Sequence, residues 1–531
     1  MNINPFLATD GYKTGHAQMY PQGTSLVYSN WTPRHGKHSN VENSKGVVVF
    51  GIQMVLKQIH EMFDKNFFMS KQLKRYPNDK EDIKACVCQE IKEEYSLYLG
   101  TDFDVSHIEA LWDLGHLPIK VKALPEGSFC PYGVPCLTVV NTLPEFFWLT
   151  NFLETLISNM LWLPMTSATT ALEYKKILKS AALKTDKTNL DFVDFQGHNF
   201  SMRGMAGLDA TVYSGLGHSL FFKGDDSLPT ISAARKYYDA KDFVVGSVNA
   251  TEHSVMCAGG NNDELGTFRY LMKQFPTGIL SIVSDTWDLW KVLTEYLPEL
   301  KQEILDRDGK IVIRPDSGDP VDIICGELFT DAGEYLGNEK DRLYGDDSPK
   351  NKGVVELLWD VFGGTINDQG YKVLDPHIGV IYGDSITPQR AKSFWERLEQ
   401  KGFASTNIVV GVGSYTYQFV TRDTHGFAMK ATYVEIKTGE TNTITGKANI
   451  VEGRPIFKDP ITGDGSKKSA KGLLKVYENL THSGDFISYG LLNNVTKEEE
   501  EQGALKVIYN NGKHLNLIDF ETARLNANKL V

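Results

Sequence analysis

The feature that most constrains this chain is a rhythm in its middle. Short β-branched runs recur, each ended at once by glycine or polar residues. Ile279 to Val283 runs into Ser284-Asp285, and Ile311 to Ile313 runs into Arg314-Pro315-Asp316-Ser317-Gly318. Ile378 to Tyr382 runs into Gly383-Asp384, and Ile408 to Val410 into Gly411-Val412-Gly413. A helical pattern, Ile386 to Gln400, lies between two of them. Strand, polar loop, helix, strand is the order of a parallel α/β sheet, whose strands are buried on both faces. Because the polar residues follow each strand, their loops collect at one end of the sheet. Barrels and open α/β sheets both place their sites there. The number of units favours a barrel; the pattern alone is compatible with either.

The flanking segments read differently. Val47 to Phe50 is a short buried strand. Glu81 to Leu99 is a helix with Ile83, Val87, Ile91 and Tyr95 on one face, ended by Gly100. Leu117 to Ala123 alternates like a half-buried strand. Phe146 to Leu163 and Thr169 to Leu183 read as two successive helices. Residues 329–353, rich in Asp, Glu, Lys and Gly, and 435–454, rich in Thr, Gly and Asn, read as insertions on the surface. The acidic run Glu498 to Glu501 reads as an exposed helix start.

Composition narrows the function. With 41% hydrophobic and 23% charged residues the chain is ordinary globular protein. Its net charge of −12 disfavours nucleic acid as a partner, so a polyanionic ligand must be met by local cations. One such cluster is Lys458, Lys467, Lys468, Lys471 and Lys475, whose Gly- and Ser-containing surroundings equally suit a solvated loop. The six cysteines form no CxxC framework, which fits a reducing compartment. Cys86 and Cys88, two apart in a helix, point in different directions and suit no shared metal. No apolar run is long enough to span a membrane, and Met1 to Asp10 lacks a secretory signal pattern. The expectation is a cytoplasmic protein with no membrane partner.

Several loops carry candidate chemistry. Arg314 beside Asp316 offers a bidentate cation for oxyanions and a carboxylate for hydroxyls or a metal; a structural ion pair would look the same. His253, flanked by Glu252 and Ser254, suits a proton carrier or nucleophile if Asp285 reaches it to fix its tautomer. A lone histidine is more often structural. Phe200 stands three residues before Arg203, and Asp225-Asp226 offers acceptors for a ligand N–H. Gly411-Val412-Gly413-Ser414 follows a strand with Arg422 nearby, a glycine-rich turn that lets backbone N–H groups approach a phosphate. It is not a dinucleotide fingerprint, because Thr416 stands at the third glycine position. Singly these signals are weak; together they describe an anion-binding site.

In order along the chain stand Ala8-Thr9-Asp10-Gly11-Tyr12-Lys13, Arg34, Phe200 to Gly204, Lys223-Gly224-Asp225-Asp226, Glu252-His253-Ser254, Val283-Ser284-Asp285, Arg314 to Gly318, Gly383-Asp384 and Thr421-Arg422-Asp423. This series, over roughly Asn4 to Arg524, resembles the nicotinamide phosphoribosyltransferase family. The resemblance implies an α/β fold, an irregular (β/α) barrel of the type II phosphoribosyltransferase kind, with a second, mainly β domain from both chain termini. On that reading 1–150 with 400–531 form the β domain. Residues 151–399 form the barrel, completed by the strand and loop 408–415.

The same resemblance implies a homodimer with shared active sites. Its substrates would be nicotinamide and 5-phosphoribosyl 1-diphosphate, with Mg2+ as cofactor and ATP as co-substrate. Phe200 and Tyr12 of the partner subunit would enclose the pyridine ring, and Asp226 would accept the amide N–H with Arg314 nearby. Asp316, Gly383 and Asp384 would hold the ribose. Gly413, Ser414 and the partner subunit's Arg422 and the partner subunit's Lys430 would hold its phosphate. Arg203, Arg314, and the partner subunit's Arg34, the partner subunit's Lys458 and the partner subunit's Lys467 would meet diphosphate or the ATP phosphates. His253 would accept a phosphoryl group, oriented by Asp285 and supported by Glu252. The series departs from the family at Ser414 and Tyr415, where glycines are usual. A nicotinic acid enzyme on the same fold and a non-catalytic binding protein are the alternatives. Asp226 opposes the first; His253, Asp285, Arg314 and Asp316 together oppose the second.

Overall fold

The computed structural model describes residues 3–69, 80–327, 348–438, 450–459, 461–462, 469–480 and 487–531. The chain packs as two compact units. One comprises 1–168, 234–240 and 421–530; the other comprises 169–233, 241–420 and 531.

The second unit holds the parallel sheet foreseen from the four β-branched runs, widened to seven strands by three short ones. From edge to edge its strands are Gly224–Asp225, Gly197–Asn199, Ile408–Val412, Ile378–Tyr382, Asp308–Arg314, Thr277–Val283 and Asn249–Ala250. Every neighbouring pair is parallel. The central strands are apolar on both faces: Ile282, Ile311, Ile313, Ile408, Val410 and Val412 are fully buried. That two-sided burial is what removes the in-out alternation from their sequence. Gly246, three residues before the last strand, bridges in parallel to Gly224 on the opposite edge. Its N–H donates to the Lys223 carbonyl at 2.8 Å, and its carbonyl accepts from Asp225 N at 3.1 Å. The sheet therefore curls on itself as an irregular barrel.

The helix Pro388–Gln400 shows how local sequence serves this sheet. Thr387 caps it, its hydroxyl accepting from Arg390 N at 3.2 Å, and Pro388 occupies the first turn, where a missing N–H costs nothing. Ala391, Phe394, Trp395 and Leu398 form its buried stripe.

The first unit draws on both chain ends and combines an antiparallel sheet with helices, Ile52–Asn66 and Lys80–Leu99 among them. Its antiparallel sheet runs Ile450–Pro455, Ala428–Thr438, Thr24–Thr32, Leu137–Asn141, Ile119–Ala123, Lys506–Asn510 and Lys513–His514. Thr24–Thr32 lies between Ala428–Thr438 and Leu137–Asn141.

Four sequence expectations need correction. The two helices read over 146–163 and 169–183 are, after short turns, one 32-residue helix, Glu154–Thr185. Pro164 lies inside it, yet the fully buried Met165 and Ala168 just beyond keep the turns in register where a proline alone would break them. The boundary between the units falls within this helix, at 168/169 rather than near 150, and the later one at 420/421 rather than near 400. The surface excursion at 435–454 begins and ends in paired strands, Ala428–Thr438 and Ile450–Pro455, with 439–449 outside the described residues. Most of the other excursion, 328–347, is also outside them; the helix Pro349–Phe362 takes up its end. The acidic run does start a helix, Lys497–Glu501, capped by Thr496, but it is not wholly exposed. Glu500 is buried against Lys122 at 2.7 Å.

Candidate active site

All seven parallel strands end in a residue singled out from sequence. Gly197–Asn199 delivers Phe200, Gly224–Asp225 delivers Asp226, and Asn249–Ala250 leads to Glu252 and His253. Thr277–Val283 leads to Asp285, Asp308–Arg314 ends on Arg314 and leads to Asp316, Ile378–Tyr382 delivers Gly383 and Asp384, and Ile408–Val412 delivers Gly413 and Ser414. In a parallel sheet all strand ends of one polarity lie on one rim, so the residues gather without being near in sequence.

Phe200 is the hub. The Arg314 guanidinium carbon lies 5.0 Å from its ring centre, a cation–π contact. The His198 ring lies 4.9 Å away, tilted by 52°. A methyl group built on Gly411 would fall 2.2 Å from the Phe200 ring edge, and one on Gly383 would fall 2.9 Å from it. Both glycines therefore exist to let the ring lie against bare backbone, a steric role distinct from phosphate binding. Gly204 has a similar task, since a Cβ there would meet the Ser414 hydroxyl at 2.0 Å.

Asp226 is held from two sides. His198 Nε2 lies 2.8 Å from Asp226 Oδ1, and the Ser247 hydroxyl donates to the same oxygen. Burial pushes the Asp226 carboxyl up, but the His198 hydrogen bond and charge, Ser247 and Arg314 outweigh it and hold the group below its usual range. It is a carboxylate at neutral pH. Sequence reading missed His198 and Ser247. His198 lies in a three-residue strand too short to show alternation, and Ser247 in an irregular approach to a two-residue strand, so neither carries a sequence signal.

The second cluster is acidic. Asp285 Oδ2 accepts from Asp316 N at 2.9 Å and from the Ser317 hydroxyl. It thus clamps the loop that follows the neighbouring strand. Burial raises the Asp316 carboxyl; Arg314 opposes this, while Asp285 and Asp384 add to it and His253 opposes it weakly. His253 opens the helix His253–Gly259 and is half exposed. Its Nδ1 lies 3.3 Å from the Thr286 hydroxyl and its Nε2 lies 3.9 Å from Asp316 Oδ2. The pairing of His253 with Asp285 foreseen from sequence is not the one found: Asp285 is turned to the 316–317 backbone and hydroxyl, and Thr286 stands beside the imidazole. Glu252 likewise accepts from Ser254 rather than from His253. Arg203 is exposed on the short turn after Phe200. Among the described residues none accepts a hydrogen bond from Arg314 Nε, which is buried.

The candidates of the first unit form a separate group. Tyr12 is 64% exposed, and Lys13 Nζ lies 5.3 Å from its ring centre. Lys13 pairs with Glu154 at 2.5 Å, and Lys430 approaches the same carboxylate at 3.7 Å. Burial draws the Lys430 ammonium below its usual range; Glu154 opposes this, and the positive charges of Lys13, Arg34 and Arg422 add to it. The Arg34 Nε–H donates to the Gly426 carbonyl at 2.7 Å, which leaves its two terminal amino groups for another ligand. Lys458 is exposed, and its N–H donates to the Ser469 hydroxyl at 2.8 Å. Lys467 lies outside the described residues. Among the described residues no three His, Cys, Asp or Glu side chains converge as a metal-ligand set, and no helix is long and apolar enough to cross a membrane.

Comparison with known proteins agrees with this layout. Residues 195–513 match the nicotinate phosphoribosyltransferase family, and residues 4–81 match the N-terminal domain of nicotinamide phosphoribosyltransferase. The nicotinamide phosphoribosyltransferase of Acinetobacter baylyi is 46% identical over 96% of this chain and 94% of its own. That of Mycoplasma pneumoniae is 36% identical over 90% of this chain and 98% of its own. Among solved structures, nicotinate-nucleotide pyrophosphorylase from Pyrococcus furiosus superposes with a TM-score of 0.51 at 14% identity, covering 99% of this chain and 95% of that one, a likeness of fold. The chain belongs to the nicotinamide phosphoribosyltransferase family, a family of pentosyltransferases.

Proposed function

We propose that the protein transfers the phosphoribosyl group of 5-phosphoribosyl 1-diphosphate to the ring nitrogen of nicotinamide, releasing diphosphate and making nicotinamide mononucleotide for NAD synthesis. One observation carries this reading: an aromatic ring, a carboxylate and a guanidinium, Phe200, Asp226 and Arg314, converge on one rim of the parallel sheet. A flat ring stacks on Phe200. An ionised Asp226 accepts an amide N–H and repels a carboxylate, so the amide is favoured over nicotinic acid. The sugar passes through a cationic state as the diphosphate leaves; Arg314 and Arg203 stabilise the departing charge. The weakly nucleophilic ring nitrogen depends on alignment, which the packed Phe200 supplies.

Asp316 and Asp384 would hold the ribose, and Gly413 and Ser414 its phosphate. The enzyme would work as a homodimer in the cytoplasm, with Tyr12 of the partner subunit closing the ring pocket. The partner subunit's Arg34, the partner subunit's Arg422, the partner subunit's Lys430, the partner subunit's Lys458 and the partner subunit's Lys467 would meet phosphates. Mg2+ fits such a site through substrate phosphates with Asp316 beside them, since this ion keeps waters and few protein ligands; when bound it neutralises diphosphate. ATP would be hydrolysed alongside. With Nδ1–H donated to Thr286, the lone pair on His253 Nε2 attacks the γ-phosphorus, ADP leaves, and water later cleaves the N–P bond.

The test is product formation by purified protein with Mg2+, phosphoribosyl diphosphate and either nicotinamide or nicotinic acid. Nicotinamide should give the mononucleotide with kcat/KM at least about 100-fold above the acid. γ-Labelled ATP should leave acid-labile phosphate on the protein, lost in His253→Ala. No mononucleotide from nicotinamide, or label that survives the substitution, refutes the corresponding step.

A further inference from the structure

We propose that His198 is a positioning residue for the amide: with Ser247 it occupies one oxygen of Asp226, so that the other oxygen is the one a ligand N–H meets. This rests on the reading of Asp226 as the amide acceptor.

His198 is only 9% exposed and lies in the strand Gly197–Asn199, two residues before Phe200. Its ring therefore shares a face with Phe200, and the two rings touch. A carboxylate only accepts hydrogen bonds, so the 2.8 Å contact requires a proton on Nε2 of His198. The Ser247 hydroxyl donates to the same Oδ1. Two donors on one oxygen fix the plane of the carboxylate. The backbone is fixed too, with Asp226 N–H donating to the Asn199 carbonyl at 3.1 Å. Opposite His198, the neighbouring strand has a glycine: a Cβ on Gly224 would fall 2.6 Å from His198 Nδ1. That close approach seats the ring against Gly224 backbone and aims Nε2 at the carboxylate.

The charged and titratable groups around Asp226 are His198 from the neighbouring strand Gly197–Asn199, Arg314 from the strand Asp308–Arg314, and the preceding Asp225. Asp225 is turned away, accepting from Ser227 N and the Thr230 hydroxyl. His198 and Arg314 favour the ionised Asp226. Loss of the histidine therefore makes Asp226 protonate at higher pH and frees its carboxylate to turn from the ligand. The amide loses its partner and the acid loses its repulsion.

The test compares His198→Asn, His198→Gln and Ser247→Ala in steady-state kinetics. Gln extends a donor N–H to about the reach of Nε2; Asn falls short of it. His198→Asn should raise the KM for nicotinamide about 10- to 100-fold, the loss of one charge-assisted hydrogen bond. The KM for phosphoribosyl diphosphate should stay within about twofold, and His198→Gln should recover most of the effect. The acid limb of kcat/KM for nicotinamide should move to higher pH in His198→Asn, and the preference for amide over acid should shrink. Ser247→Ala, at an exposed position, should shift KM in the same direction and decides the matter if His198→Asn does not fold. The proposal is overturned if both KM values rise together, if Gln is no better than Asn, or if neither the histidine nor the serine change moves the amide KM. Wild-type protein that makes no mononucleotide from nicotinamide would overturn the underlying function instead.

Discussion

At the scale of single residues, two kinds of position stand out: glycines that make room and carboxyls whose burial sets their charge. Gly411 and Gly383 are the first kind, since either methyl would strike the Phe200 ring. Glu264 is the second. It is 3% exposed, with Oε1 buried and unpartnered. Burial lifts its carboxyl to about 7; Asp288 and Asp285 add to the rise while Lys291 opposes it. Between the ordinary value of 4.5 and about 7, the folded chain therefore holds a proton that the unfolded chain has released. Its stabilising share is complete below 4.5 and declines as pH rises through 7. Glu264→Gln, which stays neutral throughout, should unfold on the order of 2 °C above the parent at pH 8 and at the same temperature as the parent at pH 4. Calorimetry at the two pH values checks this; a gain of equal size at both would mean that the carboxyl is not the cause.

At the scale of elements, the strand ends organise the chemistry, and neighbouring ends hold each other. Asp285 is the clearest case, gripping the backbone and hydroxyl of 316–317 across one strand interval. Asp285→Ala should cut kcat/KM by about 100-fold through a displaced Asp316, whereas Asp285→Asn, which keeps one acceptor, should lose about 10-fold. Equal losses in the two variants would place the role of Asp285 in its charge and not in the clamp. The long strands were legible because their β-branched runs are buried on both faces. Gly197–Asn199, Gly224–Asp225 and Asn249–Ala250 were not, since two or three residues carry no periodicity and exist only by pairing with longer neighbours. The candidates that follow them, Phe200, Asp226 and His253, are singled out in the sequence only through the ordered series of motifs. What sequence mispaired was the loop geometry: His253 and Asp285 sit on adjacent strand ends, but which oxygen turns to which donor depends on backbone paths that spacing does not encode. His198 went unseen because a three-residue strand gave no pattern in which to place it.

At the scale of the whole molecule, the candidate residues divide between the two units. Phe200, Asp226, His253, Arg314 and Asp316 belong to the unit with the parallel sheet. Tyr12, Arg34, Arg422 and Lys430 belong to the unit with the antiparallel sheet. Tyr12 is a large aromatic left 64% exposed, close to the cations around Lys430. In a homodimer with shared sites, each pocket takes Phe200 from one copy and Tyr12 from the other. Complementation tests this arithmetic. Phe200→Ala and Tyr12→Ala proteins, each nearly inactive alone, should recover about a quarter of wild-type activity after dissociation and equal mixing. Half of the dimers are then mixed, and each mixed dimer carries one pocket with both rings intact. A site built from one chain would give no recovery, because every pocket would still lack one ring. Recovery well below a quarter, with mixed dimers shown to form by mass spectrometry, would likewise count against sharing.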